Sequence, residues 1–320
     1  MKVFFLKIAI SVIHVLIKFT FFIFFPKDIQ NEKYSSLRIF LINKILHFQN
    51  LVFKKINYPL NIYRTKNEDV YADVGGVLLD TSYTYRYFKI TQDKKFKNQG
   101  EAYEYFFKKT KKNNFIDLGS HIGEIAIYIA KHYPNTKVLS VEASPSCHSI
   151  QERNILINNV KNIKIENVIL SDKNSEEYTS DHFGTENYTI DQPTKDFIKI
   201  KSTKLKELLD KFDIKNIDFL KIDIEGSIPK LSEDLILLWE TNKIRYCCLS
   251  IEKNTYESYL GIINAMSKNS NIYEINPNTD TGKIITLDYL REHLKSRLGS
   301  YYQSNRFLGV EIVFENKTIN

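Results

Sequence analysis

The chain has 320 residues, 43% hydrophobic and 13% aromatic, enough for a sizeable core and too apolar for a disordered chain. Its three cysteines, Cys147, Cys247 and Cys248, are odd in number and lack metal-ligand spacing, which argues against a disulfide framework and for a reducing compartment. Residues 1–60, with nine Lys or Arg against Asp28 and Glu32, account for the whole net charge of +7; the balanced remainder points away from nucleic acid, and the basic segment points toward an anionic membrane surface.

Residues 3–25 are almost wholly apolar, and the exceptions Lys7, Ser11, His14 and Lys18 fall on one helical stripe that ends before Pro26. Leu37 to Ile56 repeats the device with Asn43, His47, Asn50 and Lys54, and Pro59 follows. Three arrangements fit this pattern: an interfacial helical hairpin, a membrane-spanning anchor, or helices that cover the domain's own sheet. About 20 apolar residues suffice to span a bilayer, but Lys18 would cost roughly 2.5–3.5 kcal/mol there. The interfacial hairpin is the simplest. The chain thus divides into a membrane-associated segment, 1–60, and a catalytic domain, 61–320.

From residue 61 short strands alternate with helices, the signature of a parallel α/β sheet. Residues 69–90 predict a hairpin, with Asp69 to Asp80 as one part and Tyr83 to Ile90 as the other. Glu101 to Lys112 predicts a helix whose basic end complements its dipole.

The most informative stretch is Asn113 to Gly123, a buried strand ending in Asp117 and followed by Gly119 and Gly123. Glycines here permit a tight turn and close backbone approach to a ligand. The spacing lacks the middle glycine of G-x-G-x-x-G, the loop that wraps a pyrophosphate. An aspartate would repel a pyrophosphate, whereas it can hold the cationic amino group of S-adenosylmethionine. A helix over Ile122 to Tyr133 follows, then a strand over Lys137 to Glu142. Glu142, about 20 residues beyond the glycine loop, stands where a carboxylate accepts both ribose hydroxyls.

Ser144 to Asn158 predicts a helix with a serine cap and Pro145 in its first turn. Ile163 to Leu170 reads as the third strand, and Ser171-Asp172 at its end can meet the adenine amino group. Lys173 to Lys199 shows no clear periodicity and reads as a lid or acceptor loop carrying His182, Phe183, Asn187 and Tyr188. In Asp218 to Ser227 an apolar strand carries Lys221, Asp223 and Glu225 at period two, so all three face one way. Charges on a central strand are costly to bury, so they belong at the carboxyl edge where ligands bind. Ile244 to Glu252, Ile272 to Ile275 and Phe307 to Phe314 complete the strands, the last as an antiparallel closing strand.

Between about Glu101 and Glu252 these residues resemble the FkbM family of S-adenosylmethionine-dependent methyltransferases. The resemblance rests on Phe115 to Gly123, Val141 to Pro145, Leu170 to Asp172, Phe219 to Gly226 and Ile251-Glu252. Ser120-His121 replaces the family's usual Ala-Asn, and Leu205-Lys206 its Leu-Asp. The resemblance implies a class I, Rossmann-like fold, with a mostly parallel seven-stranded sheet and helices on both faces. It also implies O-methylation of sugar or polyketide hydroxyls. Asp117, Gly119, Ser120, Gly123, Glu142, Ser171 and Asp172 are then expected to bind the donor. Asp223 is expected to contact the acceptor hydroxyl, beside Lys221, Glu225 and, on a neighbouring strand, Glu252. Asp223, Glu225 and Glu252 could also hold a divalent cation through hard oxygen ligands. A lipid-linked saccharide is the expected acceptor, with catalysis on the cytoplasmic side of the membrane. The competing readings are a nicotinamide-dependent oxidoreductase and a membrane-attached binding protein that has lost catalysis.

Overall fold

A computed structural model describes residues 60–64, 70–74, 77–80, 95–180, 189–190, 197–224, 227–251, 256–275, 284–292 and 310–319. The two expected N-terminal helices lie outside these. Among the described residues no helix is long and apolar enough to cross a membrane. The chain divides into two units, Met1–Lys97 and Asn98–Asn320.

In the first unit β1 (Leu60–Arg64), β2 (Val70–Val74) and β3 (Val77–Asp80) form an antiparallel meander. Val74 pairs with Val77, so the stretch Asp69 to Asp80 itself holds two paired strands; Tyr83 to Ile90, the other part of the predicted hairpin, lies outside the described residues.

The second unit is an eight-stranded sheet between helices. Its strands are β4 (Asn114–Leu118), β5 (Lys137–Val141), β6 (Ile163–Glu166), β11 (Ile217–Ile222), β12 (Ile244–Ile251), β13 (Ser270–Ile275), β14 (Ile284–Ile285) and β15 (Val310–Asn316). Across the sheet they run β14-β13-β15-β12-β11-β4-β5-β6. The order reverses between β4 and β11, the switch point where α/β sheets bind ligands. β15 inserts antiparallel between β12 and β13, as expected of the closing strand. The sheet has one strand more than the seven predicted, because β14 is only two residues long and leaves no periodic trace.

Alternation along the central strands decides what each face carries. Phe115, Phe219 and Tyr246 share one face and stack, with Phe115 and Phe219 at 5.2 Å and 5°. α1 (Lys95–Phe107) covers them, its Tyr103 and Phe107 edge-on to Phe219 and Phe115. Ile116, Leu220 and Cys247 point the other way, into an aliphatic core with α4 (Leu205–Lys211), α5 (Ser232–Glu240) and α6 (Tyr256–Ser267). Burying each such side chain stabilises by about 1.5–3 kcal/mol. The remaining helices are α2 (Glu124–His132) and α3 (Pro145–Asn158). None of the three cysteines forms a disulfide, and all three are buried.

Two predicted elements differ. The strand over Ile163 to Leu170 is broken: β6 stays in the main sheet, while β7 (Ile169–Leu170) leaves it to pair with β10 (Phe197–Thr203). Asn167 occupies the break and donates its amide to the carbonyls of Glu142 and Ala143. The aperiodic stretch Lys173 to Lys199 contains β8 (Glu176–Ser180), β9 (Thr189–Ile190) and the start of β10, which with β7 make a second, four-stranded sheet. β8 buries Glu177 against Lys230, so its inward residue is charged and its hydrophobic alternation is hidden.

Candidate active site

Two residues beyond the aromatic layer, the same face turns from apolar to charged. Asp117 on β4 and Lys221 on β11 are register partners, and Lys221 Nζ donates to Asp117 Oδ1 at 2.9 Å. Lys221 also reaches the Gly119 carbonyl at 3.4 Å and lies 3.8 Å from Asp223 Oδ2. Burial opposes its charge, but the carboxylates of Asp117 and Asp223 outweigh that and raise its pKa. Asp117 is wholly buried, whereas the Asp223 side chain is 34% exposed. The three charges therefore form a chain from the core to the carboxyl edge, with Asp223 at its open end. Asp117, expected to hold the donor's amino group, spends Oδ1 on Lys221.

Beyond β4 the chain turns through two left-handed glycines, Gly119 at φ 75° and Gly123 at φ 84°. A Cβ on Gly119 would stand 1.9 Å from the Asp223 carbonyl oxygen, and one on Gly123 would stand 2.7 Å from the Gln151 side chain. The close approach at Gly119 is thus to the backbone of Asp223. His121 is left-handed too, at φ 53°. Its N–H donates to Glu142 Oε2 at 2.8 Å, and the Ser144 N–H donates to Glu142 Oε1 at 2.9 Å. Glu142, just past β5, thus clasps both neighbouring loops. Burial pushes its pKa up to about 7 against those two N–H groups. Gly119 and Ser120 both donate their N–H to the Val141 carbonyl, tying the β4 and β5 ends together.

The Ser120 side chain points inward, donating to the Val141 carbonyl and accepting from Gln151 Nε2 at 3.2 Å. Gln151 also donates to Ser140 Oγ. Asn154 donates to the Ile122 carbonyl at 2.9 Å, and Asn158 lies on the same helical stripe; all three amides are buried. Sequence reasoning missed this face of α3. The signal was available, since residues 151, 154 and 158 follow helical spacing and amides buried there must find partners.

Ser171, after β7, is buried, and its hydroxyl donates to the exposed Asp172 at 3.1 Å. Nearby, Glu177 on β8 binds Lys230 at 2.8 Å, and the hydroxyls of Ser171 and Ser202 help to lower its pKa although burial raises it. Lys230 belongs to the 3-10 turn Ile228–Leu231 that follows the Asp223 segment. The ion pair fastens the second sheet to that segment. At Leu205-Lys206, Asp234 of α5 accepts the Lys206 N–H at 2.9 Å, a cap supplied from another helix. Glu225, Glu252, His182, Phe183, Asn187 and Tyr188 lie outside the described residues. β12, which leads to Glu252, does adjoin β11. Among the described residues no three His, Cys, Asp or Glu converge as metal ligands.

Residues 117–227 match the family model described as the Methyltransferase FkbM domain. The chain carries an FkbM methyltransferase domain. The match begins at Asp117, runs through Glu142, Ser171, Lys221 and Asp223, and falls inside the stretch that the sequence motifs marked. No curated protein matches the chain. Solved structures similar to it include three methyltransferases. The O-methyltransferase from Bacillus cereus in complex with SAH is 10% identical over 68% of this chain and 81% of its own, with TM-score 0.39. Precorrin-6y C5,15-methyltransferase from Geobacter metallireducens is 11% identical over 68% and 88%, with TM-score 0.37. The METTL16 MTase domain is 12% identical over 87% and 81%, with TM-score 0.41. The strand order of the sheet, and not these distant likenesses, carries the fold assignment.

The domain is an S-adenosylmethionine-dependent methyltransferase. Its loops fit that donor: carboxylates lie at adjacent strand ends, and Asp117 Oδ2 is buried with no hydrogen-bond partner. When bound, the donor supplies an activated methyl carbon; the chain supplies position and proton handling.

Proposed function

We propose that the enzyme O-methylates a hydroxyl of a saccharide or glycolipid at the cytoplasmic surface of a membrane. The observation that carries the catalytic part is the Asp117–Lys221–Asp223 chain, which ends in the partly exposed one of its two carboxylates. In this reading Asp223 hydrogen-bonds the acceptor hydroxyl and accepts its proton as the oxygen becomes nucleophilic. Lys221 holds that carboxylate in place and is itself held by Asp117, so positioning supplies much of the rate. Glu225 and Glu252 complete the acceptor side. Gly119, Ser120, Gly123, Glu142, Ser171 and Asp172 shape the donor side, with Glu142 facing the ribose and Asp172 the adenine.

The membrane part rests on residues 1–60, whose apolar runs and basic charge suit an anionic interface. The test is genetic and chemical. Deletion of the gene should remove a methyl group from cell glycans by mass spectrometry, restored by the unaltered gene and not by Asp223→Asn. Unchanged glycans, or full rescue by Asp223→Asn, would reject the proposal. Calorimetry adds a check: S-adenosylhomocysteine should bind, and NAD should not.

A further inference from the structure

The amino edge of the main sheet, opposite the catalytic edge, carries a row of lysines. Lys112 stands ahead of β4, Lys137 opens β5, Lys161 precedes β6 and Lys215 precedes β11. Lys243 stands ahead of β12 and Lys268 ahead of β13, and Lys317 follows the antiparallel β15, whose carboxyl end lies on the same edge. All seven are exposed. They fall on seven neighbouring strands, β13-β15-β12-β11-β4-β5-β6, one each. At about 4.8 Å between strands, the row is about 30 Å long. The edge is knit by backbone bonds, Lys137 N to the Asn113 carbonyl, Ile217 N to that of Lys243 and Lys317 N to that of Asn269. Asp213 pairs at 3.7 Å with Lys215, Asp218 is capped by the N–H groups of Asn113 and Asn114, and Glu240 ends α5. Apart from the adjoining acids Asp210 and Asp234 near Lys215, the described loops of this edge add none.

We propose that this edge lies against anionic lipid headgroups. The row is lysine with no arginine, which suits diffuse attraction to a charged surface better than forked recognition of individual phosphates. It follows an exposed sheet edge and not a groove that could track a nucleic-acid strand. The inference deepens the membrane reading and rests on it for the acceptor. β11 is six residues long, so the catalytic edge stands about 20 Å from the lipid surface. The methylated hydroxyl then belongs to the outer part of a saccharide chain and not to the lipid.

The test uses the full chain with Lys112, Lys137, Lys161 and Lys243 changed together to Gln, and separately to Arg. Calorimetry with S-adenosylhomocysteine checks that each variant is folded. Binding is measured by co-sedimentation with phosphatidylcholine vesicles, with and without about 30% phosphatidylglycerol. Removing one lysine should weaken binding to the anionic vesicles about five-fold, so the Gln variant should lose more than about 100-fold while the Arg variant does not. Equal binding of the Gln variant and the unaltered chain overturns the inference and leaves attachment through residues 1–60 standing. No binding of the unaltered chain to either vesicle overturns both. Loss of binding only to a duplex oligonucleotide, with vesicle binding unchanged, would assign the row to nucleic acid instead.

Discussion

Replacing Lys221 with Met tests whether the buried chain of charges is what holds the catalytic edge together. The substitution removes the cation 2.9 Å from Asp117 and leaves that carboxylate wholly buried. Stranding one member of a buried ion pair costs about 3–5 kcal/mol. At about 2–4 °C per kcal/mol for a domain of this size, the melting temperature should fall by on the order of 10 °C. The single tryptophan, Trp239, is buried against Phe314 and gives a fluorescence signal for the transition. The loss should depend on pH. Burial raises the Asp117 pKa even with Lys221 holding it down, so without that cation Asp117 should favour its protonated form in the fold still more. A carboxyl raised in the fold contributes stability below its unfolded pKa and loses it as pH rises. The gap to the unaltered protein should therefore be widest near neutrality and close toward about pH 4. Asp117→Asn combined with Lys221→Met removes both charges and should recover much of the loss. A Lys221→Met protein within about 1 kcal/mol of the parent at neutral pH, or a gap that ignores pH, would refute the reasoning.

Other outcomes follow from the same geometry. Gly119→Ala adds a Cβ 1.9 Å from the Asp223 carbonyl at φ 75°, so both melting temperature and S-adenosylhomocysteine affinity should fall; the left-handed conformation alone costs about 1–2 kcal/mol. Asp223→Asn should abolish methyl transfer while calorimetric donor affinity changes little; lost donor affinity would make Asp223 a donor residue. Glu142 has a pKa of about 7 in the fold against 4.5 ordinarily, so its neutral form is favoured there. Its stabilising contribution is full below about pH 4.5 and lost as pH rises through 7, on the order of 3 kcal/mol, and denaturant melts of Glu142→Gln should lack that slope.

The charged end of β11 was legible because its signal is local: apolar residues alternate with Lys221 and Asp223, and the pleat puts both on one face. The register then brings Asp117 to the same rank, as the acid at the end of the preceding sheet strand suggested. Glu142 was legible by position, but its bonds to His121 and Ser144 were not, since they depend on a left-handed residue that the sequence does not announce. The second sheet was not legible at all. Its strand β8 turns a glutamate inward, and Lys230, 53 positions further on, is what makes that burial possible. Such pairs are set by tertiary contact, where periodicity is silent.

The three buried thiols have a practical consequence. Cys147 lies in the first turn of α3, and Cys247 and Cys248 sit side by side in β12, turned to opposite faces of the sheet. Burial raises the pKa of both β12 thiols, so neither presents a reactive thiolate to solvent in the folded domain, and the Cys147 side chain is buried as well. Alkylation of Cys247 and Cys248 in the native chain then proceeds only through opening of the sheet, and its rate under mild denaturant measures the free energy of that opening. A cysteine placed on the exposed lysine row would stand out against this silent background as a single site for a fluorophore.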